Sequence, residues 1–159
     1  MSVELSEDAR KDCEAILERY PEGWKEAAIL PVLHRLQAEW GYVSLSGIKL
    51  VADMLGMPAA RAAGVMSFYP MFHKAPVGRH MIYVCSTLSC ALCGSKEIVN
   101  YLKDKLDLEV GGTSEDGKFT LEKAECIAAC EGGPAILIDG KLHRNVTIES
   151  LDALLDELD

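Results

Sequence analysis

Five cysteines gathered between positions 85 and 130 constrain this chain more than any other feature of its sequence; a sixth stands apart at Cys13. The acidic N-terminus, MSVELSEDARKD, lacks the basic-then-apolar order of a secretory leader, so a cytosolic chain is expected. Cytosolic thiols stay reduced, which makes a disulfide framework a poor explanation for the cluster. Clustered cysteines in that setting more often hold a metal centre or carry out redox chemistry.

Charge narrows the class further. The net charge is −9 with a pI near 4.9, which argues against a free-standing nucleic-acid binder or a polybasic membrane-surface protein. The longest stretch without Asp, Glu, Lys or Arg runs from His80 to Ser95; it holds Ser, Thr and three thiols and is no membrane span, so direct membrane insertion is not expected. With 159 residues and 49% hydrophobic content, the chain can bury a core for one domain, or a small domain with a helical extension.

The acid excess is uneven: residues 1–79 are close to neutral, whereas residues 80–159 carry almost all of the net charge. That shift, with Pro76, Gly78 and Arg79 at the change, divides the chain into a segment 1–78 and a domain 79–159. The first part reads as short helices. Ser6 caps one carrying Ala9, Cys13, Ile16 and Leu17; Pro21 ends it. A second bears Ile29, Leu30, Leu33, Leu36 and Trp40 and closes at Gly41, with Pro31 either starting or kinking it. A third runs through Ile48, Val51, Ala52 and Leu55 to Gly56, and a fourth follows Pro58 over 59–65.

The second part alternates. Met81 to Cys85 predicts a strand, Gly94 to Leu106 a helix, Leu108 to Gly111 a parallel strand beside the first, and Phe119 to Ala124 another strand. Asp139-Gly140 between two apolar runs predicts a tight hairpin, and Thr147 caps a last helix through Leu151, Leu154, Leu155 and Leu158. Strand, helix, strand, hairpin and helix in this order is that of a thioredoxin-like α/β domain.

In that frame Cys85 ends a strand, Cys90 opens a helix, and Cys126 and Cys130 follow a strand on the loop before Pro134. Loops at one end of a small sheet bring such thiols together, and four thiolates at loop tips are what a [2Fe–2S] cluster requires. Gly94, Gly132 and Gly133 permit close backbone approach to an anionic centre. Spacing alone leaves several readings open. One is a cluster on 85, 90, 126 and 130. Another recruits Cys93, since Cys85-x₄-Cys90-x₂-Cys93 also satisfies a plant-type ferredoxin pattern. A third is a thiol–disulfide oxidoreductase using the Cys90/Cys93 dithiol, and zinc is a weaker fourth.

Particular segments carry a family resemblance over nearly the whole chain. They are Leu30-Pro31-Val32-Leu33-His34-Arg35-Leu36-Gln37, Trp40-Gly41-Tyr42-Val43 and Val65-Met66-Ser67-Phe68-Tyr69, with Phe72. Further on come Pro76-Val77-Gly78-Arg79-His80, leading to Val84-Cys85, and Glu125-Cys126 with Cys130, Gly132-Gly133-Pro134 and Ala135. In these the chain resembles the small [2Fe–2S] subunits of respiratory NADH:quinone oxidoreductase. The resemblance implies a thioredoxin-like ferredoxin domain preceded by a helical segment. It also implies a [2Fe–2S] cluster on the C-x₄-C and C-x₃-C pairs, here Cys85, Cys90, Cys126 and Cys130. It further implies electron exchange with a partner flavoprotein subunit that holds FMN and NADH, beside other iron–sulfur subunits, in a complex peripheral to the inner membrane. The same module occurs in NAD-dependent hydrogenases and formate dehydrogenases, which is the nearest alternative. Ser67 stands where many members have Thr and keeps the hydroxyl; Cys93 is a thiol the family does not need.

The remaining candidates read more plainly. Cys13 is a core residue and His80 a surface or capped histidine. Phe68 and Phe72 are expected to pack the helical segment onto the second domain, the alternative being a partner-binding aromatic patch with Tyr69, and Asp152, Asp156, Glu157 and Asp159 to form the solvated face of the last helix. No glycine-rich nucleotide loop and no serine-nucleophile motif is present, so no catalytic residue is assigned and any nucleotide belongs to a partner.

Overall fold

The structure, a computed structural model, describes residues 4–158; the first three residues of the acidic N-terminus and Asp159 lie outside them. The chain divides into two compact units, Met1–Pro76 and Val77–Asp159.

The first unit is helical because its apolar residues recur at helical spacing between clear stop signals. Helix α1 (Glu7–Glu18) starts at Ser6, whose Oγ accepts the Ala9 N–H at 3.2 Å. A 3-10 turn at Lys25–Ala28 leads into α2 (Ile29–Trp40). Pro31 stands in the first turn of α2, where a backbone N–H has no helical partner to lose, so it starts the helix rather than kinking it. Gly41 ends α2 with φ 76°, and Ser44 caps α3 (Leu45–Leu55) through the Gly47 N–H at 3.1 Å. Helix α4 (Ala59–Phe68) follows Pro58. Ala9, Cys13, Val32, Leu33, Leu36, Val51 and Met66 meet in one buried cluster that includes Phe72. Phe68 departs from expectation: it is 78% exposed, while Ala62 and Met66 take the buried face of α4. Two residues past Met66 on a 3.6-residue turn is the opposite side of the helix.

The second unit is a four-stranded sheet with helices. Strand β1 (His80–Cys85) pairs parallel with β2 (Phe119–Ala124) and antiparallel with β3 (Ile136–Ile138), which pairs with β4 (Lys141–His143); the order is β2-β1-β3-β4. A parallel pair needs a long crossover, and α5 (Leu88–Leu92) with α6 (Ser95–Leu106) lie within it. Asp139 (φ 50°) and Gly140 (φ 79°) make the tight turn their sequence predicts. Helix α7 (Ile148–Asp156) begins with a capping box of Thr147 and Ser150. Ile82, Val84, Leu102, Leu121, Ile136 and Leu151 are fully buried between sheet and helices.

One expectation is corrected here. Leu108–Gly111 is not a strand, and the parallel partner of β1 is β2. Gly111 takes φ 85°, which breaks an extended run; Gly112 N–H then bonds the Glu109 carbonyl at 2.8 Å. The chain beyond runs antiparallel along the outer edge of β2, with a Thr113–Thr120 bridge. Asp152 on the solvent-facing side of α7 takes the Tyr101 hydroxyl and the Lys105 ammonium of α6 and keeps its side chain partly exposed. His80 is capped by Asp139 at 2.7 Å. Among the described residues no helix is long and apolar enough to cross a membrane.

Candidate thiolate site

Cys85 is the last residue of β1, a strand hydrogen-bonded on both sides, and Cys90 lies in the middle of α5; both are buried. Cys90 therefore does not open the long helix, which starts five residues later at Ser95. Each of the two thiols acts on the ionisation of the other. Burial pushes the Cys85 thiol up, but the Thr87 and Ile127 amides, the Cys90 thiol and the Thr87 hydroxyl outweigh it and leave its pKa lowered. Burial pushes the Cys90 thiol up; the Ala135 amide opposes this, and Cys85 and Cys130 add to it.

The second pair follows β2, with Cys126 on irregular backbone, and both of its thiols are exposed. Cys126 Sγ accepts the Ala128 N–H at 3.3 Å, with Ala128 at φ 58°, and Cys130 opens a 3-10 turn, Cys130–Gly132. Cys130 comes near enough to act electrostatically on Cys90. The Cys126 loop reaches the first pair through the Ile127 amide on Cys85 rather than through the Cys126 sulfur. A Cβ on Gly133 would stand 3.5 Å from Cys90 Sγ and 3.5 Å from Cys93 Cβ, so the backbone of the second loop lies directly against the first. Cys13 is remote in sequence and buried in the helical unit.

Amides aimed at sulfur, and a stretch from His80 to Ser95 free of charged side chains, suit thiolates that share an anionic centre. Among the described residues no three His, Cys, Asp or Glu side chains converge on a single metal-ion position. Cys93, the second thiol of the dithiol reading, is exposed at the end of α5, and its Cβ and Cys90 Sγ both lie 3.5 Å from the place of a Cβ on Gly133.

Several participants carry no mark in the cysteine spacing. The amides of Thr87, Ile127 and Ala135 do so because backbone donors have no sequence signature. Leu88 and Leu92, four apart on α5, share its exposed face, on the side away from the buried Cys90.

Residues 13–159 match the family model described as thioredoxin-like [2Fe–2S] ferredoxin. The chain is 39% identical over 145 residues to an NADH-quinone oxidoreductase subunit of Rickettsia felis, covering 91% of this chain and 87% of that protein. It is 36% identical over 147 residues to the corresponding NADH-quinone oxidoreductase subunit of Mycobacterium tuberculosis, of which it spans 58%. Its fold matches a chain of an NAD+-reducing [NiFe]-hydrogenase in the air-oxidized state. The TM-score is 0.72 at 20% identity, over 82% of this chain and 22% of that one. With the family model matching almost the whole length, and the relatives agreeing, this chain belongs to the thioredoxin-like [2Fe–2S] ferredoxin family.

Proposed function

We propose that the chain is an electron-transfer subunit of an NADH-oxidising complex of the NADH-quinone oxidoreductase kind, carrying one [2Fe–2S] cluster on Cys85, Cys90, Cys126 and Cys130. The observation that supports it most is the second cysteine loop lying against the first, where a Cβ on Gly133 would stand 3.5 Å from Cys90 Sγ. Such a cluster, when bound, stores and releases a single electron. The residues of the chain hold the sulfurs ready. The Thr87 and Ile127 amides favour the Cys85 thiolate, the Ala135 amide does the same for Cys90, and the Ala128 amide serves Cys126. The sequence offers no nucleotide-binding loop, so FMN and NADH belong to a partner flavoprotein subunit, with other iron–sulfur subunits beyond it and the complex peripheral to the inner membrane. The acid excess of residues 80–159 disfavours an added negative charge and lowers the reduction potential; neutralising several surface acids raises it.

The test is iron and acid-labile sulfide content, visible absorption and EPR on the wild type, Cys93→Ala and Cys130→Ala. A two-iron centre that survives in Cys93→Ala and is lost or altered in Cys130→Ala is expected. A colourless, iron-free protein that reduces disulfides only with Cys93 present would reverse the proposal.

A further inference from the structure

We propose that Arg144 is a positioning residue for the loop that carries Cys130. Its stem fills the space beside Gly132, and its guanidinium neutralises Glu131, the carboxylate adjoining that thiol. The inference rests on the cluster assignment above.

The loop is held from two sides. On one, the Cys85 N–H donates to the Ala135 carbonyl at 3.1 Å, tying it to the end of β1. On the other, the segment after β4 fastens it: Asn145 N–H donates to the Gly132 carbonyl at 2.7 Å and Val146 N–H to the Pro134 carbonyl at 3.1 Å. Gly132 is buried, and a Cβ on it would lie 2.7 Å from Arg144 Cβ and 2.8 Å from Arg144 Cδ. The arginine stem thus occupies the place a side chain at 132 would need. Arg144 Nε meets Glu131 Oε1 at 3.3 Å, with both side chains at least half exposed.

Two separable consequences follow from the stem and the charge. The stem fixes where the backbone from Cys130 to Gly133 runs. The guanidinium offsets a negative charge one residue from a thiolate. Reduction adds negative charge to the centre, so an uncompensated Glu131 opposes it and the potential falls. Exposure makes the charge contribution sensitive to salt, whereas the packing contribution is not.

The experiment uses the full chain with Arg144→Ala, Arg144→Lys and Glu131→Gln. In the loaded protein, Arg144→Ala is expected to lower the midpoint potential and move the EPR g values, Arg144→Lys to restore most of both, and Glu131→Gln to raise the potential. The potential shifts shrink at high salt. In the cluster-free protein, Arg144→Ala is expected to speed deuterium exchange at the Asn145 and Val146 amides. An Arg144→Ala protein with wild-type potential and g values overturns the proposal, whatever its exchange. So does an Arg144→Lys protein that behaves like the alanine variant. If Arg144→Ala fails to load, the lysine and glutamine variants still decide. If even the wild type takes up no iron, the cluster assignment falls instead, and the exchange measurement still reports whether Arg144 holds the loop.

Discussion

The end of β1 with α5, and the segment after β2, each carry two of the expected ligands, yet the first buries both thiols on a strand end and a helix while the second leaves both exposed, one on irregular backbone and one at the start of a short 3-10 turn. Cys85 inherits its place from a strand bonded on both sides, and Cys90 from a turn of helix. Cys126 and Cys130 inherit theirs from scattered single bonds: Ala128 to Cys126, Cys85 to the Ala135 carbonyl, Asn145 to the Gly132 carbonyl. Half of the site is thus preorganised by regular structure, and half is held by contacts to chain distant in sequence. Preorganised donors cost less to bring to a ligand, so the first pair is the natural place for loading to begin.

The difference can be broken most severely at the thiols. Cys90→Ala removes the buried partner of Cys85 and is expected to abolish iron and sulfide incorporation. Cys126→Ala, on the looser loop, is expected to reduce it less in the same assay. The framework beneath comes next. Ile136 is fully buried on β3, between the Cys130 loop and the hairpin turn, and Ile136→Ala should cost about 2–5 kcal/mol in denaturant unfolding. Leu33→Ala in the helical unit should cost a similar ~2–5 kcal/mol but leave iron per folded chain unchanged. Thr147→Ala, which removes the cap directly after the Asn145–Val146 fastening, should cost about 1 kcal/mol and show as a lower melting temperature.

The smallest effect concerns protons. In the cluster-free chain the folded pKa of Cys85 is lowered, so its contribution to stability is present above the unfolded thiol value of ~8.5 and is lost as pH falls through the folded one. Cys90 is raised and has the opposite sign: its contribution is present below ~8.5 and is lost as pH rises through the folded value. Thiolate ultraviolet absorbance should show one group ionising early in the wild type, and Cys85→Ala should remove that early step.

Much of this architecture can be read from local rules. Ser6, Ser44 and Thr147 cap helices through their own side chains, Gly41 and Gly56 end them in left-handed backbone, and Asp139-Gly140 turns a hairpin. Each depends on a few neighbouring residues, which is why a sequence displays it. The Leu108–Gly111 strand fails because its apolar run ends in the positive φ that Gly111 adopts. Phe68 fails because a helix face is decided by what the rest of the unit covers, and Ala62 and Met66 win the buried side. At the site, the cysteine spacing is legible and its supports are not. Arg144 lies far along the chain from Cys130 and reaches that loop only because the hairpin folds back. The hairpin register pairs His143 with Ile136, so one step further sets Arg144 opposite Ala135. Counting back from Asp139-Gly140 could therefore have found it.

The edges of the sheet bear on what happens to the chain before any iron arrives. On one flank β2 is covered by residues 111–114, through the Gly111–Leu121 bond at 2.7 Å and the Thr113–Thr120 bridge. On the other, β4 is three residues long and begins with a lysine. Neither flank offers a long open ladder for a second molecule to extend, which is how strand-to-strand aggregation starts. A nascent chain with exposed thiols on its surface is thereby spared one route to precipitation while it waits for its cofactor.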